Sequence, residues 1–151
     1  MKRIVINRSY DEFCISHKAL IRLRELGQPQ ALAETINYVN YRQVFGQPVA
    51  AFQNTKFKLA DASTHTRVAR VFIDRCIEQL VKGELDTETA AMAKWWVTDT
   101  QQKGIDECQQ LFGGYGYMNE YMVCRMFADS RVQRIYGGTN EVMKELISRS
   151  L

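Results

Sequence analysis

Proline is almost absent from this chain: Pro29 and Pro48 are the only two. Long stretches therefore carry no built-in helix breaker. Histidine is equally scarce. His17 and His65 stand alone, neither at metal-ligand spacing to a second histidine or a carboxylate pair, so no metal site is expected. Cys14, Cys76, Cys108 and Cys124 are scattered without a C-x-x-C, which argues for free thiols in a reducing compartment over disulfides or zinc. No uninterrupted apolar run approaches the roughly 20 residues of a bilayer span, so no membrane partner is expected. A net charge of +3 without a basic run gives no footing for nucleic acid. Residues 1–10 are basic, but Asp11 and Glu12 follow, and neither an apolar signal core nor an acid-free presequence is present. The expectation is a cytoplasmic protein of bacterial type.

What the chain does have is helical periodicity. Its 151 residues suffice for one domain with a sizeable core. Residues 31–44 read as one helix, closed by the Phe45-Gly46-Gln47-Pro48 turn. Residues 50–82 read as a long helix with two adjacent stripes. Leu59, Ala62, Thr66, Ala69, Ile73, Cys76, Ile77 and Leu80 make the first, and Phe57, Ala60, Thr64, Val68, Val71 and Phe72 the second. Two stripes predict an interior element of a bundle. Gly83 is a natural C-cap, and Asp86 can N-cap a helix from Thr87 to about Phe112. Gly113 to Gly116 ends it. A short helix follows around 120–129, and Thr139 can cap the last one, with Val142, Met143, Leu146 and Ile147 facing inward. The only convincing strand is Lys2–Ile6, and Ser16 to Leu26 reads as a basic helix. The prediction is an all-α antiparallel four-helix-type bundle over residues 31–151, preceded by a distinct segment 1–30.

Several residues have chemistry beyond packing. Arg42 is a forked cation suited to a phosphate. Phe45 offers a flat ring face. Gln53 and Gln110 carry paired donors and acceptors. Gly113 and Gly114 let a backbone approach a ligand closely. Thr139 and Asn140 sit where a helix begins, with free N–H groups and a positive dipole end. Taken singly, each has an ordinary explanation. Arg42 would face a helix C-terminal dipole, Gly113 to Gly116 would be a helix stop, and Thr139 an N-cap.

Taken in order, three motifs change that balance. They are Arg42-Gln43-Val44-Phe45-Gly46 with Phe52-Gln53, then Gln110-Leu111-Phe112-Gly113-Gly114-Tyr115-Gly116-Tyr117, then Ile135-Tyr136-Gly137-Gly138-Thr139-Asn140-Glu141. The set resembles the C-terminal domain of the flavin-dependent acyl-CoA dehydrogenases. The resemblance implies an oxidoreductase of fatty-acid or branched-chain catabolism, acting on acyl-CoA thioesters with FAD. It implies that Arg42, Phe45, Gln53, Gln110, Phe112, Gly113 and Gly114 bind FAD across a subunit interface, and that Thr139, Asn140 and Glu141 also contact it. Gly137 and Gly138 would lie near the acyl thioester. Val44 stands where threonine is frequent, so one flavin hydrogen bond is expected to be missing. A homodimer or homotetramer is implied, with an electron-transfer flavoprotein as acceptor.

Most of the family places its catalytic glutamate where this chain has Gly137. The long-chain and isovaleryl types, which share the glycine, carry a Glu-Arg-Leu base segment earlier. Counting back from Arg42 by that spacing lands near Ser16-His17, which is not Glu-Arg. Glu12 and Glu25 lie nearby, in a segment without family likeness. The catalytic base is therefore unassigned. The chain reads as a truncated or fused C-terminal domain, inactive alone. The alternatives are a non-catalytic helical oligomerisation module, or a fragment completed by a separately encoded partner.

Overall fold

The computed structural model describes residues 28–149 and 151. Lys2–Ile6, Ser16 to Leu26, Glu12, Glu25, Cys14 and the Ser16-His17 position lie outside the described residues.

The described chain is helical, as its periodicity demands. α1 spans Gln28–Tyr41, α2 Gln53–Lys82, α3 Thr87–Phe112, α4 Met122–Gln133 and α5 Asn140–Ser148. α3 is the axis of the bundle, with α1, α2, α4 and α5 all packed on it. The all-α bundle reading holds.

Local chemistry sets the ends of the long helices. Gly83 takes the left-handed conformation, φ 73°, which glycine adopts without a Cβ penalty, and its N–H caps the end of α2. The Asp86 carboxylate accepts from the Thr89 N–H at 2.7 Å and so caps α3. Those hydrogen bonds hold its carboxyl below the usual carboxylate value. Thr139 caps α5 by accepting from Val142 N at 3.3 Å.

Four details differ from the sequence reading. α1 includes Gln28, Pro29 and Gln30, ahead of the expected first residue at 31. It stops at Tyr41, and Gln43–Val44 and Gln47–Pro48 pair as a two-stranded hairpin, β1 and β2. A 3₁₀ turn over Val49–Ala51 and an extended Phe52 then delay α2 to Gln53. α4 runs on to Gln133, beyond the expected 129.

The core has two lobes. Ala69, Ile73 and Cys76 of α2 meet Ala93 and Val97 of α3. Ala31 of α1, Ile105, Cys108 and Phe112 of α3 and Val123 of α4 form the other. Of the second stripe of α2, Phe72 packs against the first lobe, but most of the rest does not. Phe57, Val68 and Val71 are 60%, 49% and 70% exposed, so α2 is interior along one face only. Val142 also faces out, while Met143 beside it is buried. Periodicity reports that a face is apolar; it does not report that the same chain covers it.

Candidate functional site

Two of the three motifs meet at one end of the bundle. The C-terminal end of α1 and that of α3 lie side by side, and a cleft of about 610 Å³ opens between them. Arg42, Gln110, Phe112, Gly113 and Gly114 line it, with Tyr38, Val44, Val49, Leu111, Tyr115 and Met118.

The walls are fixed by short-range chemistry. Arg42 N donates to the Tyr38 carbonyl at 2.8 Å, and Val49 N to the Arg42 carbonyl at 2.9 Å, which pins the hairpin to the end of α1. Tyr38 stacks on Phe112, with centroids 4.1 Å apart, and its hydroxyl donates to the Phe112 carbonyl at 3.2 Å. Burial pushes the Tyr38 phenol pKa up, against the pull of the Arg42 charge. The Arg42 guanidinium lies 5.2 Å from the Tyr115 ring centroid, a cation–π distance. Arg42 makes no ion pair among the described residues, so its forked donors face the cleft rather than a carboxylate.

The far wall is nearly bare backbone. Gly113 has φ 61° and ψ −140°, a conformation closed to other residues, and a side chain at Gly113 or Gly114 would meet nothing within 4 Å. Gly116 is the opposite case. It is buried, and its carbonyl accepts from Gln109 Nε2 at 2.8 Å, which folds the turn back on α3.

Phe45 and Gln53 do not line the cleft. Phe45 is 96% exposed at the tip of the hairpin, in a left-handed conformation, φ 49°, that non-glycine residues rarely adopt. Its ring meets that of Phe52 edge-on at 6.5 Å. Gln53 is exposed at the start of α2.

The third motif forms a separate feature. Gly137 and Gly138 have φ 66° and 90° and build a turn into α5. Asn140 is 2% exposed and spends its side chain on the bundle. Its Oδ1 accepts from Lys94 Nζ at 2.8 Å, and its Nδ2 donates to the Trp95 carbonyl at 3.4 Å. Glu141 is exposed in the first turn of α5, its carboxyl held below the usual value by its own N–H and by Thr139. None of Gly137 to Glu141 lines the cleft.

Sequence reasoning missed Tyr38, Tyr115 and Lys94. Tyr38 was legible as the residue one helical turn before Arg42 on the same face. Lys94 occupies a core position of α3, among Ala90, Ala93 and Val97, and is 6% exposed. Burial pulls its pKa from 10.5 down to about 8, against the attraction of Glu141. Above about pH 8 the folded chain therefore sheds a proton that the unfolded chain keeps, and stability rises with pH. The expected gain between about pH 7 and about pH 9 is about 1 kcal/mol, read by urea unfolding and absent from Lys94→Met. Beyond that window the buried Cys76 and Cys108 thiols, whose pKa values burial raises from 9.0, act with the opposite sign.

Among the described residues no cluster of three His, Cys, Asp or Glu is placed to hold a metal ion, and no helix is long and apolar enough to cross a membrane.

With that geometry in place, the likeness to known proteins is informative. Residues 19–151 match the family described as acyl-CoA dehydrogenase, C-terminal domain. The chain is 48% identical over 118 residues to the mitochondrial long-chain specific acyl-CoA dehydrogenase of Mus musculus, covering 78% of this chain and 27% of that one. The crystal structure of an acyl-CoA dehydrogenase from Geobacillus kaustophilus superposes with a TM-score of 0.83 at 39% identity, over 87% of this chain and 34% of that one. The structure of PigA with FAD and proline superposes with a TM-score of 0.78 at 25% identity, over 89% and 37%. The chain thus spans about a quarter of the length of the mouse enzyme. The matched span holds all three motifs and the whole described bundle, and this chain belongs to the acyl-CoA dehydrogenase family, as its C-terminal domain.

Proposed function

We propose that this chain is the FAD-binding and subunit-associating domain of an acyl-CoA dehydrogenase of the long-chain or isovaleryl kind. In that reading it serves α,β-dehydrogenation of acyl-CoA thioesters in fatty-acid or branched-chain catabolism. The observation that carries the reading is the cleft. It joins two motifs distant in sequence and presents a forked cation, an exposed amide and bare glycine backbone to one space. That donor set fits a pyrophosphate and its sugar. FAD, when bound, supplies the redox chemistry.

The chain's own residues would do the rest. Arg42 neutralises the pyrophosphate, and Gln110 with the Gly113–Gly114 backbone orients it. Thr139 and Glu141 present the first turn of α5 to FAD. The Asn140 side chain is committed to Lys94 and its N–H to the Arg134 carbonyl, so it would serve FAD by holding the shape of that turn. The third motif stands outside the cleft, which supports two half-sites per protomer, each completed by another copy. Exposed Phe45 and the uncovered stripe of α2 support the same homodimer or homotetramer. Gly137 and Gly138 leave room beside the acyl thioester, but Gly137 has no group that can take the α-proton. The base and the remaining domains would come from outside the described residues or from a separately encoded partner, and an electron-transfer flavoprotein would accept the electrons. A second reading, a non-catalytic oligomerisation module, is favoured by that uncovered stripe alone.

FAD titration of the purified chain, followed by flavin fluorescence, tests the first reading. Binding is expected, about tenfold weaker in Arg42→Ala, the effect of losing one charge-assisted contact. Butyryl- or palmitoyl-CoA with an artificial electron acceptor is expected to show no turnover. A colourless chain that assembles stably without binding FAD would favour the second reading, and turnover would show that a base is present.

A further inference from the structure

The turn between α4 and α5 is fastened at both ends to one face of α3. At its entry the Arg134 guanidinium is 2.7 Å from an Asp99 carboxylate oxygen. At its exit the Asn140 backbone N–H donates to the Arg134 carbonyl at 3.1 Å, and the Asn140 side chain enters the bundle. Two groups approach Asn140 Oδ1 there: Lys94 Nζ at 2.8 Å and Thr98 Oγ1 at 3.2 Å. A hydroxyl has one proton, and the nearest acceptor to Thr98 is the Lys94 carbonyl, at 2.8 Å. The ammonium is therefore the principal donor to Asn140. Between the two fastenings lie Gly137 and Gly138, both at positive φ, and the half-exposed Ile135 and Tyr136. The two glycines bring no side-chain packing to the turn, so its shape there depends on its anchors.

We propose that Lys94 is a positioning residue, which sets the Gly137–Thr139 turn from inside the bundle by gripping the Asn140 side chain. Lys94 is buried inside the bundle, so it would act on flavin or thioester only through the turn. Its effect on either rests on the reading above that this turn faces both. The grip also gives the buried ammonium a partner, without which its desolvation would be costly.

Hydrogen–deuterium exchange on the 151-residue chain tests this, with Lys94→Met, Asn140→Leu and the double variant. Lys94→Met conserves volume, and Asn140→Leu removes the same contact from the other side should the first variant not fold. In each single variant the peptide over residues 135–140 should exchange about tenfold faster, with α2 peptides unchanged. The double variant should be no faster than Asn140→Leu alone, which removes the Lys94 contact together with the bond from Asn140 Nδ2 to the Trp95 carbonyl. Unchanged exchange in the turn, equal acceleration in α2, or additive effects in the double variant would each overturn the proposal. FAD affinity, measured in parallel, should fall about tenfold in Lys94→Met. A loosened turn with unaltered affinity would leave the grip standing and overturn the reading that this turn faces FAD. A wild-type chain that binds no FAD removes the cofactor reading instead, and the exchange data still decide the grip.

Discussion

Phe112→Ala is expected to lower the stability of this chain by about 3–5 kcal/mol, the range for truncating a buried phenylalanine. Phe112 is 7% exposed and packs with Ala31, Ile105, Cys108 and Val123. Its ring stacks on Tyr38 and meets Tyr121 edge-on, with centroids 5.7 Å apart. The family resemblance assigns Phe112 to the cofactor. Its ring is spent on the core, and its carbonyl is spent on the Tyr38 hydroxyl. The residue would then serve FAD by holding the cleft floor rather than by ring contact. Phe112→Leu fills most of the space and should cost less than half as much while keeping most flavin affinity. Chemical denaturation and FAD titration of both variants separate the two roles. A Phe112→Ala chain of wild-type stability that had lost flavin binding would put the ring on the cofactor.

The helices were legible because their signals are local. Gly83, Asp86 and Thr139 each cap a helix through atoms within a few residues, so the sequence alone carries the argument. The β1–β2 hairpin was not legible. Two-residue strands are too short to show a period, and the turn runs through Phe45, which sequence rules place in the left-handed region only rarely. The second stripe of α2 is apolar, as its sequence says, but only Phe72 of its large side chains packs on the core, because periodicity carries no information on which face the neighbouring helices cover. For the site, the residue types were legible and their grouping was not. Arg42 and Gly113 share a cleft because α1 and α3 end at the same place, a tertiary fact. Gly137 to Glu141 lie elsewhere for the same reason. Lys94 was hidden because one lysine in an apolar helix resembles a solvated position until its neighbours are known.

Gly116→Ala should be nearly as damaging, at about 3 kcal/mol, the upper range for forcing an atom into a filled site. A methyl group there would collide with the Gln109 carbonyl oxygen and come within 3.0 Å of Phe112 Cβ. That oxygen belongs to the last turns of α3, whose main chain has no rotamer by which to withdraw. The 3₁₀ turn over Gly113–Tyr117 would have to lift instead, giving up the Gln109 bond to the Gly116 carbonyl. Lifting it moves Gly113, Gly114 and Tyr115, which are wall residues of the cleft. The same substitution two residues earlier makes the contrast. Gly114→Ala meets nothing within 4 Å and has no positive φ, so its stability should stay within about 0.5 kcal/mol of wild type. Its methyl would still project where a ligand backbone approach is proposed, so its effect should appear in FAD affinity and not in the unfolding midpoint. Gly116→Ala should move both. If Gly116→Ala unfolds at the wild-type midpoint, the turn is free to shift, and the cleft wall is not held by the packing described here.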